Sequence, residues 1–447
     1  PFYWSSKGYT MPEFLERRFN SKSRTFLSVI SLISYVLTKV AVTVYAGGIA
    51  FKTILGIESI WGIDFFWISA IGLVVITGIY TVLGGMKAIM WTSVLQTPVL
   101  IIGSLVILVV GLDKVGGWAE VERINDANMH LIRSASDAEF PWPGIVFGSF
   151  IIGFWYWCTD QYIVQRVLSA KGIKEARRGT MFAGYLKLLP VFIFLVPGMI
   201  AYALNVKGII SYESADQAFP TLVAELLPAG VKGIVIGGLV AALMSSLASL
   251  FNSSATLFTI DFYKKFKPES SEKHLLKVGR IATIVIVVLG LLWIPVMSLI
   301  ADVLYEYLQS VQSLIAPGIA AVFLLGLCSK RITPTAGFVG LVSGFVLGMI
   351  RLVLLPFKDD LTGSSFAWIT TMNWLYYCIL LFVVVVAIMI VVSMFTKQAD
   401  EEQLKGLTFS SLDKATMKEV AAGLDKWDYI HTAGIIGITA FIYYRFW

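Results

Sequence analysis

Long apolar runs alternate with short polar connections along almost the whole 447-residue chain. About eleven of these runs have the roughly 20 residues that a helix needs to cross a bilayer. Because lipid cannot satisfy open backbone groups, spans of this number must be helical. The pattern therefore predicts an all-α polytopic membrane protein, with spans at 25–54, 61–84, 88–112, 143–166, 178–204, 232–263, 276–299, 303–328, 333–356, 370–396 and 429–447.

The distribution of basic residues predicts an orientation for these spans. Cytoplasmic loops of membrane proteins carry an excess of Lys and Arg. Here the excess lies in alternate connections, namely 1–24, Lys87, 166–178, 264–280, 330–331 and 397–426. We therefore expect a multi-pass protein of the cell (inner) membrane, with segment 1–24 in the cytoplasm and the C-terminus outside. Connection 113–142 would be an extracellular or periplasmic loop, and 397–428 a cytoplasmic one.

Composition excludes other classes. Only 14% of the residues are charged and 57% are hydrophobic, whereas a soluble domain carries about 25% charged residues. The net charge of +6 lies in short loops, which does not indicate nucleic-acid binding. The HExxH, GxxxxGK[ST] and GxSxG motifs are absent, which argues against a zinc protease, an NTPase and an α/β-hydrolase. The cysteines lie in apolar runs, so neither a disulfide framework nor a metal cluster is indicated.

Four ionisable residues lie inside the predicted spans: Lys39, Asp160, Lys187 and Glu306. Each costs at least about 2.5–3.5 kcal/mol on insertion scales, so such groups normally face a cavity or a partner. For Lys39 and Lys187, a structural ion pair or a snorkelling side chain remains an alternative to a functional role. Arg351, near an outer helix end, is expected to be a snorkelling anchor.

Span six carries a stripe of small polar residues on one helix face. Sodium prefers several oxygen ligands, and transporters supply them from hydroxyls and backbone carbonyls. A small-residue packing seam explains the same pattern equally well. Both interpretations stay open for Ala242, Ser245, Ser249, Asn252, Thr256 and Thr259, with Ser246 and Ser253 flanking the stripe.

Span eight places an aromatic ring and two amides at helical spacing, at Tyr305, Gln309 and Gln312. Amides pair with hydroxyls and rings cover C–H faces, so this combination suits a neutral polyhydroxylated ligand. A second aromatic group, WYWCTDQ, ends span four at residues 155–161.

Several motifs carry a resemblance over essentially the whole chain. WYWCTDQYIVQR, GYLKLLPVFIFLVPGM, AALMSSLASLFNSSATLFTIDFY, YLQS followed by APGIAAVFLLGL, and the opening TMPEFLERRF occur in unbroken order. Together they resemble the sodium/solute symporter family. They look most like its sodium/glucose cotransporter branch, as a bacterial sodium/galactose-type homologue.

The resemblance implies a five-plus-five inverted-repeat, LeuT-like transporter fold. Residues 25–112 would be the last three helices of the first repeat and 143–328 the whole second repeat. Residues 333–447 would form peripheral C-terminal helices. The first three helices of the family fold precede TMPEFLERRF in relatives and are missing here, so we expect that this polypeptide would not transport alone.

The resemblance also implies roles for individual residues. Tyr156 would be the inner gate under the sugar, Gln309 and Lys187 would reach the sugar, and Tyr305 occupies an outer-gate position. The expected substrate-binding set is Tyr156, Lys187, Gln309, Trp157, Tyr305 and Gly153. Sodium would be held by the Ala242 carbonyl and the Ser245 and Ser246 hydroxyls. Asp160 and Gln161 would belong to a polar network below the gate.

Departures from the family pattern affect stoichiometry and sugar identity. Many relatives read WTD where this chain has Ser93, and relatives that move two sodium ions carry a hydroxyl where it has Ala248. We therefore expect one sodium per sugar. Gly153 replaces a polar residue found in several relatives, so the sugar stays open.

The leading hypothesis is a sodium-coupled secondary active symporter of a neutral sugar, of the glucose or galactose type, working by alternating access. One alternative is a family member that moves another solute, such as myo-inositol, a carboxylate, an amino acid or a vitamin. A second alternative is a non-transporting membrane sensor or partner subunit on the same scaffold. An enzyme is not expected, because no nucleophile–base pair can be read. The sequence does not indicate an oligomeric state.

Overall fold

The computed structural model describes residues 10–297, 303–411 and 424–446, apart from the side chains at 80, 82–89, 92 and 95. The first nine residues of predicted segment 1–24, residues 412–423 of predicted loop 397–428, the Lys87 side chain and Trp447 lie outside that description.

The N-terminal part consists of helices joined by tight connections. Thr10 and Asn20 cap the first two helices by accepting the Glu13 and Ser23 backbone N–H groups, as expected for N-cap residues. Gly56, at φ 63°, ends the second helix in the left-handed conformation that glycine tolerates. The elements are α1 (Met11–Arg18), α2 (Ser21–Leu55), β1 (Ser59–Ile60), β2 (Ile63–Asp64), α3 (Phe65–Val115) and α4 (Trp118–Asn125).

The middle part begins with a helix that breaks and resumes. Its elements are α5 (Gly144–Thr159), α6 (Gln161–Leu168), α7 (Ile173–Val206), α8 (Ala218–Leu226), α9 (Ala229–Phe266), α10 (Glu272–Met297) and α11 (Leu304–Cys328). The C-terminal part holds α12 (Pro334–Leu354), α13 (Ala367–Thr371), α14 (Trp374–Phe395), α15 (Glu401–Leu404) and α16 (Lys426–Arg445). β1 and β2, of two residues each, pair antiparallel as a hairpin. Short 3₁₀ turns occur at 126–128, 215–217, 355–357 and 409–411.

Eight helices among the described residues are long and apolar enough to cross a membrane, and two shorter apolar helices are Phe65–Ile79 and Gly144–Thr159. The structure therefore describes an integral membrane protein that is almost entirely helical. The predicted last span, 429–447, corresponds to α16, which is not among the eight.

The predicted boundary between spans 61–84 and 88–112 is wrong in this structure. A single 51-residue helix, α3, runs through it. At 1.5 Å per residue this helix is about 77 Å long, more than twice the roughly 30 Å hydrocarbon core of a bilayer. The pair Gly84 and Gly85 suggests a turn, but glycine costs only about 1 kcal/mol in a helix, so it does not force one. The orientation inferred from alternating loops stays a prediction.

α11 lies at the centre of the larger hydrophobic core and is the most deeply buried span. It packs against α12 and α14, and it meets α12 backbone to backbone. A Cβ on Gly318 would lie 3.0 Å from the Gly344 Cα, and one on Gly348 would lie 2.2 Å from the Leu314 carbonyl oxygen. Such close approach of small residues is the usual way in which transmembrane helices associate.

A second hydrophobic core joins the end of α3 to α4, α7, α8 and the start of α9. Gly111 of α3 faces Ile200 of α7, and Gly238 of α9 faces the α3 backbone at Leu100. The broken helix α5–α6 and the second half of α9 contribute to the larger core, for example through Trp155, Val164 and Leu250.

Candidate functional site

The site is built around a helix break at Asp160. α5 ends in a widened π-helical turn, Trp155–Thr159, and Asp160 adopts an extended backbone, with φ −79° and ψ 122°. The Asp160 carboxylate then caps α6 by accepting the Tyr162 backbone N–H at 3.1 Å. Interrupted helices in transporters expose polar backbone where it lines a binding cavity. The predicted span 143–166 is therefore two helices.

The three aromatic residues before the break contact one another. The Tyr156 ring centroid lies 6.2 Å from that of Trp155 and 5.1 Å from that of Trp157, both edge-on. Lys187 of α7 places its Nζ 5.2 Å from the Trp157 ring centroid. Tyr156 is half-buried, whereas Trp157 and Lys187 are exposed. The structure thus brings Tyr156, Trp157 and Lys187 together.

Two residues predicted to bind substrate, Gln309 and Tyr305, lie on α11. This helix packs against residues 149–159 of α5, and Gln309 is half-buried on it. Tyr305 is 56% exposed, one turn nearer the helix start. Glu306 lies in the first turn of α11 rather than deep in a span, where the helix dipole favours a carboxylate. Gly153 of α5 has open space where a Cβ would point, so a larger side chain would fit there.

Asp160 and Gln161 each join α5–α6 to another part of the chain. Asp160 accepts the Tyr35 hydroxyl at 3.0 Å and is ion-paired with Lys39. Gln161 accepts the Met11 backbone N–H at 2.9 Å, which ties α1 to the break. Sequence reasoning left Tyr35 out and gave Lys39 no role in the site. The signal for Lys39 was its intramembrane charge.

The residues predicted to bind sodium lie half-buried on α9. The Ser245 hydroxyl lies 2.6 Å from that of Ser93 on α3, and the Ser246 side chain hydrogen-bonds Tyr162 of α6. The Ala242 carbonyl lies one turn earlier on the same helix. This donor set consists of neutral oxygens, which suit a hard monovalent cation.

On the C-terminal side of Ser246, the stripe forms a packing seam between α9 and α6. Gln165 donates to the Ser253 hydroxyl at 2.6 Å and accepts the Asn252 amide N–H at 3.2 Å. Arg166 donates to the Ser249 hydroxyl. The packing-seam interpretation therefore holds for Ser249, Asn252 and Ser253, which hold α6 against α9. The sodium site at Ala242, Ser245 and Ser246 stays a prediction.

Arg351 is not the snorkelling anchor that the sequence predicts. It is 2% exposed, donates to the Met372 carbonyl at 2.5 Å and lies 4.2 Å from the Tyr377 ring centroid. Its charge is buried between α12 and the start of α14, where a carbonyl dipole and an aromatic face stabilise it.

A helical membrane protein with a broken helix, aromatic rings at the break and hydroxyls on the facing helix belongs to the class of secondary transporters. A solved structure supports the fold. The substrate-bound, outward-open structure of a Na⁺-coupled sialic acid symporter matches with a TM-score of 0.71 and 22% identity, covering 90% of this chain and 80% of that chain. The inverted-repeat fold is thereby confirmed.

Sequence comparisons identify the family. Residues 1–344 match the model of the sodium:solute symporter family. Sodium/glucose cotransporter 1 of Oryctolagus cuniculus is 36% identical, over 92% of this chain and 67% of its own length. Sodium/glucose cotransporter 4 of Homo sapiens is 36% identical over 92% and 64%. Sodium/myo-inositol cotransporter 2 of Homo sapiens is 36% identical over 94% and 67%.

The chain belongs to the sodium:solute symporter family, as the motifs indicate, and sodium is its coupling ion. Its relatives are transporters by name rather than enzymes. The chain spans about two thirds of the length of these relatives.

Proposed function

We propose that this chain takes part in the sodium-coupled symport of a neutral sugar of the glucose or galactose type, by alternating access. The observation that carries the proposal is the cluster at the helix break. There the Tyr156 ring and the Lys187 ammonium each contact the Trp157 ring, and α5 packs against α11, the helix that bears Gln309. Rings cover the C–H faces of a sugar, while the amide and the ammonium pair with its hydroxyls.

Each site residue takes a role in this proposal. Tyr156 is the inner gate, Gln309 and Lys187 bind sugar hydroxyls, and Tyr305 is part of the outer gate. Trp157 extends the aromatic wall, and the open space at Gly153 leaves room for part of the substrate. Asp160 and Gln161 form the polar network below the gate.

Sodium binds at Ala242, Ser245 and Ser246, with one ion per sugar. Ser93, within hydrogen-bond distance of Ser245, adds a neutral oxygen rather than a carboxylate. Ala248 is fully buried and has no oxygen on its side chain. A charge-to-sugar flux ratio near two would contradict this stoichiometry.

The driving force is sufficient for accumulation. One charge moving through 100 mV releases about 2.3 kcal/mol, and a tenfold sodium gradient adds about 1.4 kcal/mol. Together they support a sugar gradient of several hundredfold.

The proposed organisation follows the family fold. Segment 1–24 is cytoplasmic, 25–112 completes a first repeat, and 143–328 is the second repeat. Loop 113–142 is placed outside, which requires α3 to bend back near 85–87 when the protein is in the bilayer. In the same proposal 397–428 lies in the cytoplasm, and the helices of 333–447 are peripheral. The protein resides in the cell (inner) membrane with its C-terminus outside.

A polyol is the second candidate, because a myo-inositol cotransporter is as similar as the glucose cotransporters. Myo-inositol presents the same ring of hydroxyls to an amide and an aromatic face. A carboxylate, amino acid or vitamin substrate would use Lys187 as its cation.

The test is sodium-dependent uptake by the full-length protein in proteoliposomes, with labelled galactose, glucose and myo-inositol compared. Gln309→Ala and Tyr156→Ala should each lower sugar uptake by about tenfold or more, since each removes a substrate contact. Gln403→Ala is the control, because within the described part of the chain that amide bonds the Arg17 and Phe19 carbonyls, outside the proposed site. Sodium-dependent uptake of none of the three compounds would contradict the proposal.

A further inference from the structure

Lys39 is a buried cation that the proposed transport cycle does not use. It lies in the π-helical turn Tyr35–Val40 of α2, and its Nζ is ion-paired with Asp160 Oδ2. The two side chains are 10% and 3% exposed. A charge pair so deep in a membrane protein is costly to desolvate, so a role beyond packing is the first hypothesis to consider.

Aromatic rings surround the Lys39 ammonium. The ring centroids of Tyr162, Tyr35 and Tyr156 lie 4.2, 4.7 and 5.3 Å from its Nζ, and that of Trp155 lies 6.0 Å away. Rings at such distances attract a cation through their faces. The ammonium thus contacts the gate ring on one side and the carboxylate at the break on the other.

The carboxylate itself fixes the backbone of the break. Asp160 Oδ1 accepts both the Tyr162 backbone N–H, at 3.1 Å, and the Tyr35 hydroxyl, at 3.0 Å. The Tyr35 hydroxyl also accepts that N–H, at 3.1 Å. Lys39 therefore holds the acceptor that caps α6, and α2 is joined to the point where α5 and α6 can change direction.

We propose that Lys39 is a positioning residue that latches the helix break through Asp160 and sets the position of the Tyr156 ring. The gating role of Tyr156 comes from the proposed function, and the latch rests on it. The ion pair keeps the angle between α5 and α6 fixed relative to α2. Any movement of the gate must either carry α2 along or separate the pair.

Removing one partner has a different consequence from removing both. Lys39→Met leaves the Asp160 carboxylate buried without its cation, and Asp160→Asn leaves the Lys39 ammonium without its anion. The double variant leaves no unpaired charge, so it should be less impaired than the two single effects combined. Lys39→Arg keeps the charge. Arg351→Met is the control, because it removes an even more deeply buried cation, far along the chain from the break.

The first measurement is galactose exchange by the full-length protein in proteoliposomes. Lys39→Met and Asp160→Asn should each slow exchange by about tenfold or more and raise the galactose KM, whereas the double variant should recover several-fold. Lys39→Arg should lie within about threefold of the wild type, since it keeps the charge. Arg351→Met should leave the KM unchanged. If the double variant slowed exchange by the product of the two single factors, Lys39 and Asp160 would act independently, and the proposed latch would be overturned.

The second measurement needs no substrate. In hydrogen–deuterium exchange, Lys39→Met should speed exchange of the backbone amides of 160–164 by about tenfold, because the cap on α6 is weakened. Segment 334–354 should exchange as in the wild type. Equal acceleration in both segments, or none at 160–164, would overturn the proposal. If the wild type takes up no sugar, the proposed function fails while this measurement still decides the latch.

Discussion

Arg18 and Lys39 are both buried basic residues, but the protein stabilises their charges in different ways. The Arg18 guanidinium donates to the carbonyls of Gly326, Ser329 and Ile332 at 2.8, 2.8 and 3.2 Å. It thereby caps the end of α11 with a fixed cation. Lys39 instead pairs with a carboxylate at a break between two helices.

In the proposed transport cycle, the difference separates a cation that joins two helices from one that pairs with a carboxylate beside the gate. Gly326 belongs to α11, and Ser329 and Ile332 directly follow it, so these hydrogen bonds join Arg18 of α1 to the end of α11. A carboxylate on an extended residue can move with the helix that follows it. We therefore expect loss of the Arg18 cation to change stability, and loss of the Lys39 cation to change transport.

The largest effect on stability is expected from Arg18→Met. Although burial lowers the pKa of Arg18 to about 10, the guanidinium stays charged at neutral pH. Its loss removes the donor from two buried carbonyls and one partly buried carbonyl, which should lower the free energy of unfolding by about 3 kcal/mol. Thermal denaturation in detergent, with the exposed Lys22→Met as control, measures this. A changed galactose KM in the folded Arg18→Met variant would contradict the distinction between Arg18, which acts on stability, and Lys39, which acts on transport.

A smaller loss of stability is expected from Arg351→Met. This guanidinium makes one hydrogen bond, to the Met372 carbonyl, and one ring contact, to Tyr377. Removing them should cost about 1.5 kcal/mol. The same thermal denaturation checks the size, and the sugar uptake rate per folded molecule should not change. A loss as large as that of Arg18→Met would contradict this ranking of buried cations.

Ser245→Ala should change transport without changing stability. It removes one proposed sodium ligand, so the sodium concentration for half-maximal uptake should rise about tenfold, the loss expected for one hydrogen bond or ligand to a charged group. Ser249→Ala is the control, because that hydroxyl bonds Arg166 and the Ser245 carbonyl in the packing seam. If the two variants had equal sodium dependence, Ser245 would belong to the seam as well.

The smallest effect is expected at Glu120, in α4. Hydrogen bonds from Arg123 and Lys207 lower the pKa of Glu120 from 4.5 to about 2. A carboxyl whose pKa is lowered by folding stabilises the protein at pH values above the pKa that it has in the unfolded chain. That contribution is lost as the pH falls towards about 2.

Glu120→Gln should therefore flatten the dependence of melting temperature on pH in that acidic window, with a small decrease at neutral pH because exposed ion pairs contribute little. Melting curves at several pH values measure this, and Glu139→Gln serves as an exposed control. A changed KM for sugar in Glu120→Gln would show that Glu120 acts in transport and not only in stability.

Several features could be predicted from sequence alone, for reasons that are local. Hydropathy predicts helical spans because a backbone in lipid must bond internally, and TMPEFLERRF or WYWCTDQ identifies the family without coordinates. The boundary at 85–87 could not be predicted, because two glycines permit both a turn and a continued helix. The two halves of the α9 stripe look alike in sequence. Only their partners distinguish them, Ser93 for the half at Ser245 and Gln165 for the half at Ser253.

The sequence by itself determined that this is a polytopic helical protein of the sodium:solute symporter family, since composition, motif order and helical spacing act within single segments. Only the tertiary structure decided where the buried charges go. Lys39 and Asp160 are 121 positions apart, and Arg18 and Gly326 are 308 apart. The cost of an unpaired charge in lipid requires that partners exist, but packing between distant helices selects them.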